Sequence, residues 1–222
     1  MKKLSAFNYN HINVAYNLSG AVEAVKMGRF VVLVDIIDMS TSFEAVSEAG
    51  AYSLWGASPS EKDLPYVNPF LIGKKAAQEA KEKATGLIII AEPRNGSNNE
   101  RKKRAIKVIN GVESEGIQVE AIVPNLGAET AKILDWEDKV VIAVTDCGGV
   151  IFDAVYQLGG KLTTATVART IKTKGIDVAL KGINRTMLMA NNLPITFVAA
   201  SSNALEDVLA VHYLAQLMIQ EN

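Results

Sequence analysis

At 222 residues, with 23 basic and 24 acidic side chains, the chain is long enough for one sizeable core. Its charge is too evenly balanced to point to nucleic acid or a membrane surface as a partner. A content of 49% hydrophobic but only 6% aromatic residues favours an Ala/Val/Ile/Leu-rich α/β interior over an all-β sandwich, and the single cysteine, Cys147, excludes an intramolecular disulfide or a thiolate zinc cluster. Two histidines, His11 and His212, leave little material for an imidazole metal site. Residues 1–10 are polar, unlike a signal peptide, and no run reaches the roughly 18 apolar residues of a membrane span, so a cytoplasmic protein without membrane partners is expected.

Residues 1–19 carry no clear period. Residues 20–27 have helical spacing and stop at Gly28. The run Phe30, Val31, Val32, Leu33, Val34 is apolar and mostly β-branched, as in a strand buried on both faces of a parallel sheet, and a helix follows to about Ala49. Further strands are predicted over residues 51–57, 86–91, 116–123, 139–144, 161–167 and 194–199. Helices are predicted over 71–84, 100–110, 127–134, 150–158, 168–191 with a break at Gly175, and 205–219, while 58–70, rich in proline, reads as a loop. Strands alternating with helices this regularly predict one three-layer α/β domain, a mostly parallel sheet with helices on both faces.

Polar clusters follow the apolar strands. Asp35 and Asp38 come directly after the first, before Ser40, Thr41 and Ser42. A carboxylate beside hydroxyls and a helix N-terminus at the carboxyl end of a strand suits a divalent cation and a phosphate, although Ser42 is best read as a helix cap. Asp35 is harder to explain as structural, because an unpaired carboxylate after such a run is expensive to bury. The other clusters are Glu92 with Arg94 and Asn95, then Asp146, then Ser201–Asn203, and all are expected on one rim of a single sheet. Glu206 and Asp207, in the first turn of the last helix, would also complement its dipole. The turn Asp146-Cys147-Gly148-Gly149 would let backbone amides approach an anion, with Cys147 better read as a structural cysteine than as a nucleophile. The basic run Arg101–Arg104 is read as a solvated face and His212 as a core or interface histidine; a homo-oligomer stays open.

Leu205-Glu206-Asp207, at the start of a helix after a strand ending in small residues, resembles the C-terminal segment of the 2-phosphosulfolactate phosphatase family. Asp35-Ile36-Ile37-Asp38-Met39-Ser40-Thr41 is similar to that family's Asp-Val-Leu-Arg-Ala-Ser/Thr-Thr motif, with Asp38 where the family has arginine. Glu92-Pro93-Arg94-Asn95-Gly96 resembles its Glu-Arg-Asn-Gly element with one residue inserted, and Val144-Thr145-Asp146-Cys147-Gly148 falls where the family has Thr-Thr-Asn-Gly-Thr. The matches run in order from about residue 30 to 217.

The resemblance implies the α/β fold, Mg²⁺ and hydrolysis of a small anionic phosphomonoester. Asp35 with Glu206 or Asp207 would hold the ion. Arg94 and Asn95, with Ser40 and Thr41 of the first motif, would bind substrate, and Asp146 or Asp38 would be the general base. The rival readings are a non-catalytic relative that binds a metabolite or protein partner, suggested by Asp38, and a lyase or isomerase using Asp146 and Cys147.

Overall fold

The computed structural model describes residues 12–60 and 64–220, so His11 and residues 61–63 of the proline-rich loop lie outside the described residues. In chain order the first elements are β1 (Ile12–Tyr16), α1 (Asn17–Lys26), β2 (Phe30–Val34), a π-helical turn (Ile36–Ser40), α2 (Thr41–Glu48) and β3 (Ser53–Ala57). Then come α3 (Pro69–Lys83), β4 (Leu87–Ala91), α4 (Asn98–Arg104), α5 (Ile106–Glu113), β5 (Ala121–Pro124) and a 3-10 turn (Gly127–Lys132). The chain closes with β6 (Val140–Val144), α6 (Gly148–Gln157), β7 (Leu162–Thr164), α7 (Ile176–Ala190), β8 (Ile195–Ala199) and α8 (Leu205–Gln220).

The α/β architecture is as expected, with parallel strands covered by helices, but the strands form two sheets rather than the single one anticipated. One has the order β1-β8-β2-β7 and the other β3-β6-β4-β5, and every pairing is parallel. Strand alternation explains the layering. Val31 and Leu33 of β2, Ile88 and Ile90 of β4, and Val141 and Ala143 of β6 share one core with Met39, Phe43, Ile151 and Phe152 between the sheets. The alternate residues Phe30, Val32 and Val34 pack under α7 and α8, while Leu87, Ile89, Val140 and Ile142 pack under α3 and α5. Helix α6 packs against β2 and β7 of one sheet and β3 of the other.

Three local differences have physical causes. The helix expected over 100–110 is two helices, α4 opening on a capping box of Ser97 and Glu100 and ending at Ala105, where α5 begins. Residues 168–174 are not helical, because Thr170 and Thr173 turn their hydroxyls to Glu48 and Thr170 N–H bonds the Thr173 carbonyl at 3.0 Å. His212 is not a core histidine; it is exposed on α8, with Nε2 2.7 Å from the Tyr16 hydroxyl.

Helix α2 is tied to α7 by a buried ion pair. Glu44, 2% exposed, lies 2.8 Å from Arg185 Nη2 and 2.9 Å from Lys181 Nζ. Glu44→Gln keeps the volume but removes the charge, and should lower stability by about 2 kcal/mol in denaturant unfolding. An unchanged midpoint would mean the pair contributes nothing.

Candidate functional site

The pairing registers set the carboxyl ends of the strands level. Val34 pairs with Ala199 and Ala57 and Ala91 both pair with Val144, so Asp35 leaves the first sheet beside Ala200 while Thr145, Ser58 and Glu92 leave the second together. The two rims meet through Asp35. Its Oδ2 accepts the Gly148 N–H at 2.7 Å, from the N-terminus of α6, and its Oδ1 accepts the Asp38 N–H at 3.0 Å. The glycine-rich turn therefore does offer an amide to an anion, and that anion is this chain's own carboxylate. A Cβ on Gly148 would run into Asp35 Oδ2 and stand 3.1 Å from its Cγ, so any larger residue there needs Asp35 or the helix start to give way.

Asp207 mirrors this arrangement from α8. Its Oδ1 accepts the Ile36 N–H at 2.8 Å and its Oδ2 the Ser201 N–H at 3.3 Å. Both carboxylates are only 3% exposed. They line a cleft of about 390 Å³ together with Asp38, Glu206, Cys147 and Ser201. Burial, then the charges of Asp207 and Asp38, push Asp35 up to about 7 against the pull of its two amide donors. Burial, opposed by the Ile36 and Ser201 amides and reinforced by Glu206 and Asp38, pushes Asp207 up to about 6. Asp38 is also raised, by burial first, with Arg94 lowering it and Asp146 and Glu206 raising it. Cys147 is half-buried in the cleft, and burial with the surrounding carboxylates pushes its thiol up to about 11. It stays protonated at neutral pH and is no ready nucleophile.

The other expected site residues sit around this cleft rather than in it. Arg94 is exposed, its Nη2 4.0 Å from Asp38 Oδ1 and 3.3 Å from the Ile37 carbonyl, its Nε donating to the Asn125 carbonyl at 2.8 Å. Asn95 is exposed on the same loop. Asp146 is exposed and paired with Arg104 at 2.6 Å. Ser40 and Thr41 are buried with their hydroxyls engaged inside the turn: Ser40 Oγ accepts the Asp35 N–H at 2.9 Å, and Thr41 Oγ1 donates to the Ile36 carbonyl at 2.6 Å. Ser42 is not the cap; its hydroxyl donates to Asn125, and the capping side chain is that of Asp35. Nor is Arg101 part of a solvated face, being 5% exposed and donating at 3.0 Å to the carbonyls of Pro93 and Arg94. It shapes the loop that carries Arg94.

Asn125 is the residue that sequence reasoning missed. It lies at the end of β5, where Pro124-Asn125 reads as an ordinary turn, yet it is completely buried and bonded to the turn carrying Asp38.

The donor set fits one hard cation in a particular way. Mg²⁺ commonly takes one or two carboxylates and keeps several waters. Each oxygen of Asp35 and Asp207 accepts one amide hydrogen and so retains a lone pair. Among the described residues, no three His, Cys, Asp or Glu side chains converge as a ready-made cage. The fit is to a partly hydrated ion on two carboxylates. No protein-family model matches the chain, and no curated protein matches it in sequence. Among the described residues, no helix is long and apolar enough to cross a membrane.

Proposed function

We propose that the chain is a Mg²⁺-dependent hydrolase of a small anionic phosphomonoester, of the 2-phosphosulfolactate kind that its motifs resemble, acting on a free metabolite in the cytoplasm. One observation carries this reading. Two buried carboxylates, Asp35 and Asp207, face one cleft, and burial together with the charges of neighbouring acids raises the affinity of each for protons, a situation that a divalent cation relieves. Bound there, Mg²⁺ would neutralise phosphoryl charge and lower the pKa of a coordinated water.

The chain's own groups supply the rest. Asp35 and Asp207, with Glu206 also on the cleft lining, would hold the ion. Asp38 lines the cleft and is the better placed proton acceptor, whereas Asp146 is engaged by Arg104. Arg94, with Asn95 on its loop, meets the anion from the side, and Ser40 and Thr41 stiffen the π-helical turn from within. Such turns are rare and often occur at functional sites.

A second reading, a non-catalytic binder, is favoured by Asp38 standing beside Arg94 and drawing on its charge. The test is phosphate release from a panel of phosphomonoesters with Mg²⁺ or Mn²⁺, using wild type, Asp38→Arg and Asp38→Asn. A hydrolase gives release by wild type that stops with chelator and falls about 100-fold or more in Asp38→Asn. Silence from wild type with release by Asp38→Arg would establish the binder. Silence from all three would remove phosphoester hydrolysis and leave the lyase or isomerase reading.

A further inference from the structure

We infer that Asn125 is a positioning residue for this cleft, fixing from the second sheet both the turn that carries Asp38 and the side chain of Arg94; the inference rests on the phosphomonoester reading above. Asn125 is 0% exposed and follows β5, in one sheet, while the π-helical turn follows β2, in the other. Its Nδ2 donates to the Asp38 carbonyl. Its Oδ1 accepts from the Ser42 hydroxyl and, at 3.4 Å, from the Gly127 N–H. Its own carbonyl accepts from Arg94 Nε at 2.8 Å.

These partners fix the amide's orientation. The Gly127 N–H can only donate and the Asp38 carbonyl can only accept, so the oxygen must face the first and the nitrogen the second. Aspartate at this position would keep the acceptor and lose the donor; leucine would lose both. Asn125 is not among the residues lining the cleft, so it acts through Asp38 and Arg94 and not on a ligand. The cation-holding pair has anchors of its own, Asp35 the Gly148 amide and Asp207 the Ile36 and Ser201 amides, and the turn reaches it only through the Asp38 N–H on Asp35 Oδ1. Asn125 therefore sets the separation of one acid and one guanidinium, which decides how an anionic substrate is received.

The test compares Asn125→Ala, Asn125→Asp and Ser42→Ala with wild type. Three readouts are kcat and KM for the best ester of the panel, Mg²⁺ affinity, and amide hydrogen exchange. Positioning predicts a rise in KM of about tenfold or more in both Asn125 variants, with Mg²⁺ affinity within about twofold of wild type. Exchange at Asp38, Met39 and Ser40 should rise about tenfold while Ile36, held by Asp207, is unchanged. Ser42→Ala, which leaves the bond to Asp38 in place, should move KM less. Unaltered KM and kcat in a folded Asn125→Ala, or exchange that rises evenly along the chain, would overturn the inference. Were wild type inactive on every ester, the phosphoester reading would fail by itself. Exchange would then decide: a rise confined to residues 38–40 upholds Asn125 as a positioning residue, and an even or absent rise overturns it.

Discussion

With chelator present, the protein should lose on the order of 3 kcal/mol of folding stability between about pH 5 and about pH 8. The sign follows from Asp35. Its folded pKa of about 7 lies above the ordinary value of 3.8, so the folded state holds that proton more tightly than the unfolded state does. The penalty is absent below the ordinary value, grows through the interval and is complete above about 7. Asp207, raised to about 6, acts in the same direction. Glu48 titrates oppositely, its pKa lowered despite burial by bonds to Thr170, Thr173 and Lys181, but its contribution is already in place at the lower end of the window. For a chain of this size the loss corresponds to a fall of roughly 6–12 °C in Tm. Asp35→Ala should flatten the slope whatever it does to the absolute Tm. A wild-type Tm that holds or rises over this range would show that the two carboxylates are not suppressed by burial.

Gly148→Ala should cost about 4 kcal/mol, the largest single-methyl effect expected here. The added Cβ takes the place of Asp35 Oδ2, so either the first turn of α6 shifts or Asp35 gives up its 2.7 Å bond. Overpacking contributes roughly 1–3 kcal/mol and the lost charge-assisted bond roughly 1.5–3. Gly159→Ala provides the comparison. At φ +70° with nothing within 4 Å it meets only backbone strain, about 1 kcal/mol. Thermal melts of the two variants should therefore be well separated, and equal losses would mean that the collision with Asp35 is relieved by small shifts. Gly148→Ala should also abolish any rise in Tm on adding Mg²⁺.

Much of this was legible in the residues, and the illegible parts have definite causes. The run from Phe30 to Val34 announced a doubly buried strand, and all five residues are buried. The division into two sheets is not readable, because β2, β4 and β6 are uniformly apolar, β8 is broken only by Thr196, and nothing local says which strand is whose neighbour. Strand β1, Ile12–Tyr16, is hard to read because it is a short edge strand with Asn13 exposed and no clear period. Asp35 could be singled out since it ends an apolar run. The order of its partners could not, because the Gly148 amide lies 113 positions away. Asn125 is hidden for the same reason, lying 87 positions from Asp38. Asparagine in place of Asp35 would not be a conservative exchange. Asp35 accepts two amide hydrogens, and an asparagine would set its own N–H₂ against one of them.

The central claim is that Asp35 and Asp207 together hold one divalent cation, and calorimetric titration of the chelator-treated protein with Mg²⁺ tests it most directly. At about pH 7.5 one site is expected, with proton release on binding because Asp35, raised to about 7, is still partly protonated at that pH. Binding should weaken by about tenfold or more at about pH 5.5 and vanish in Asp207→Ala. Absence of binding at the higher pH, or the same affinity in Asp207→Ala as in wild type, would contradict it.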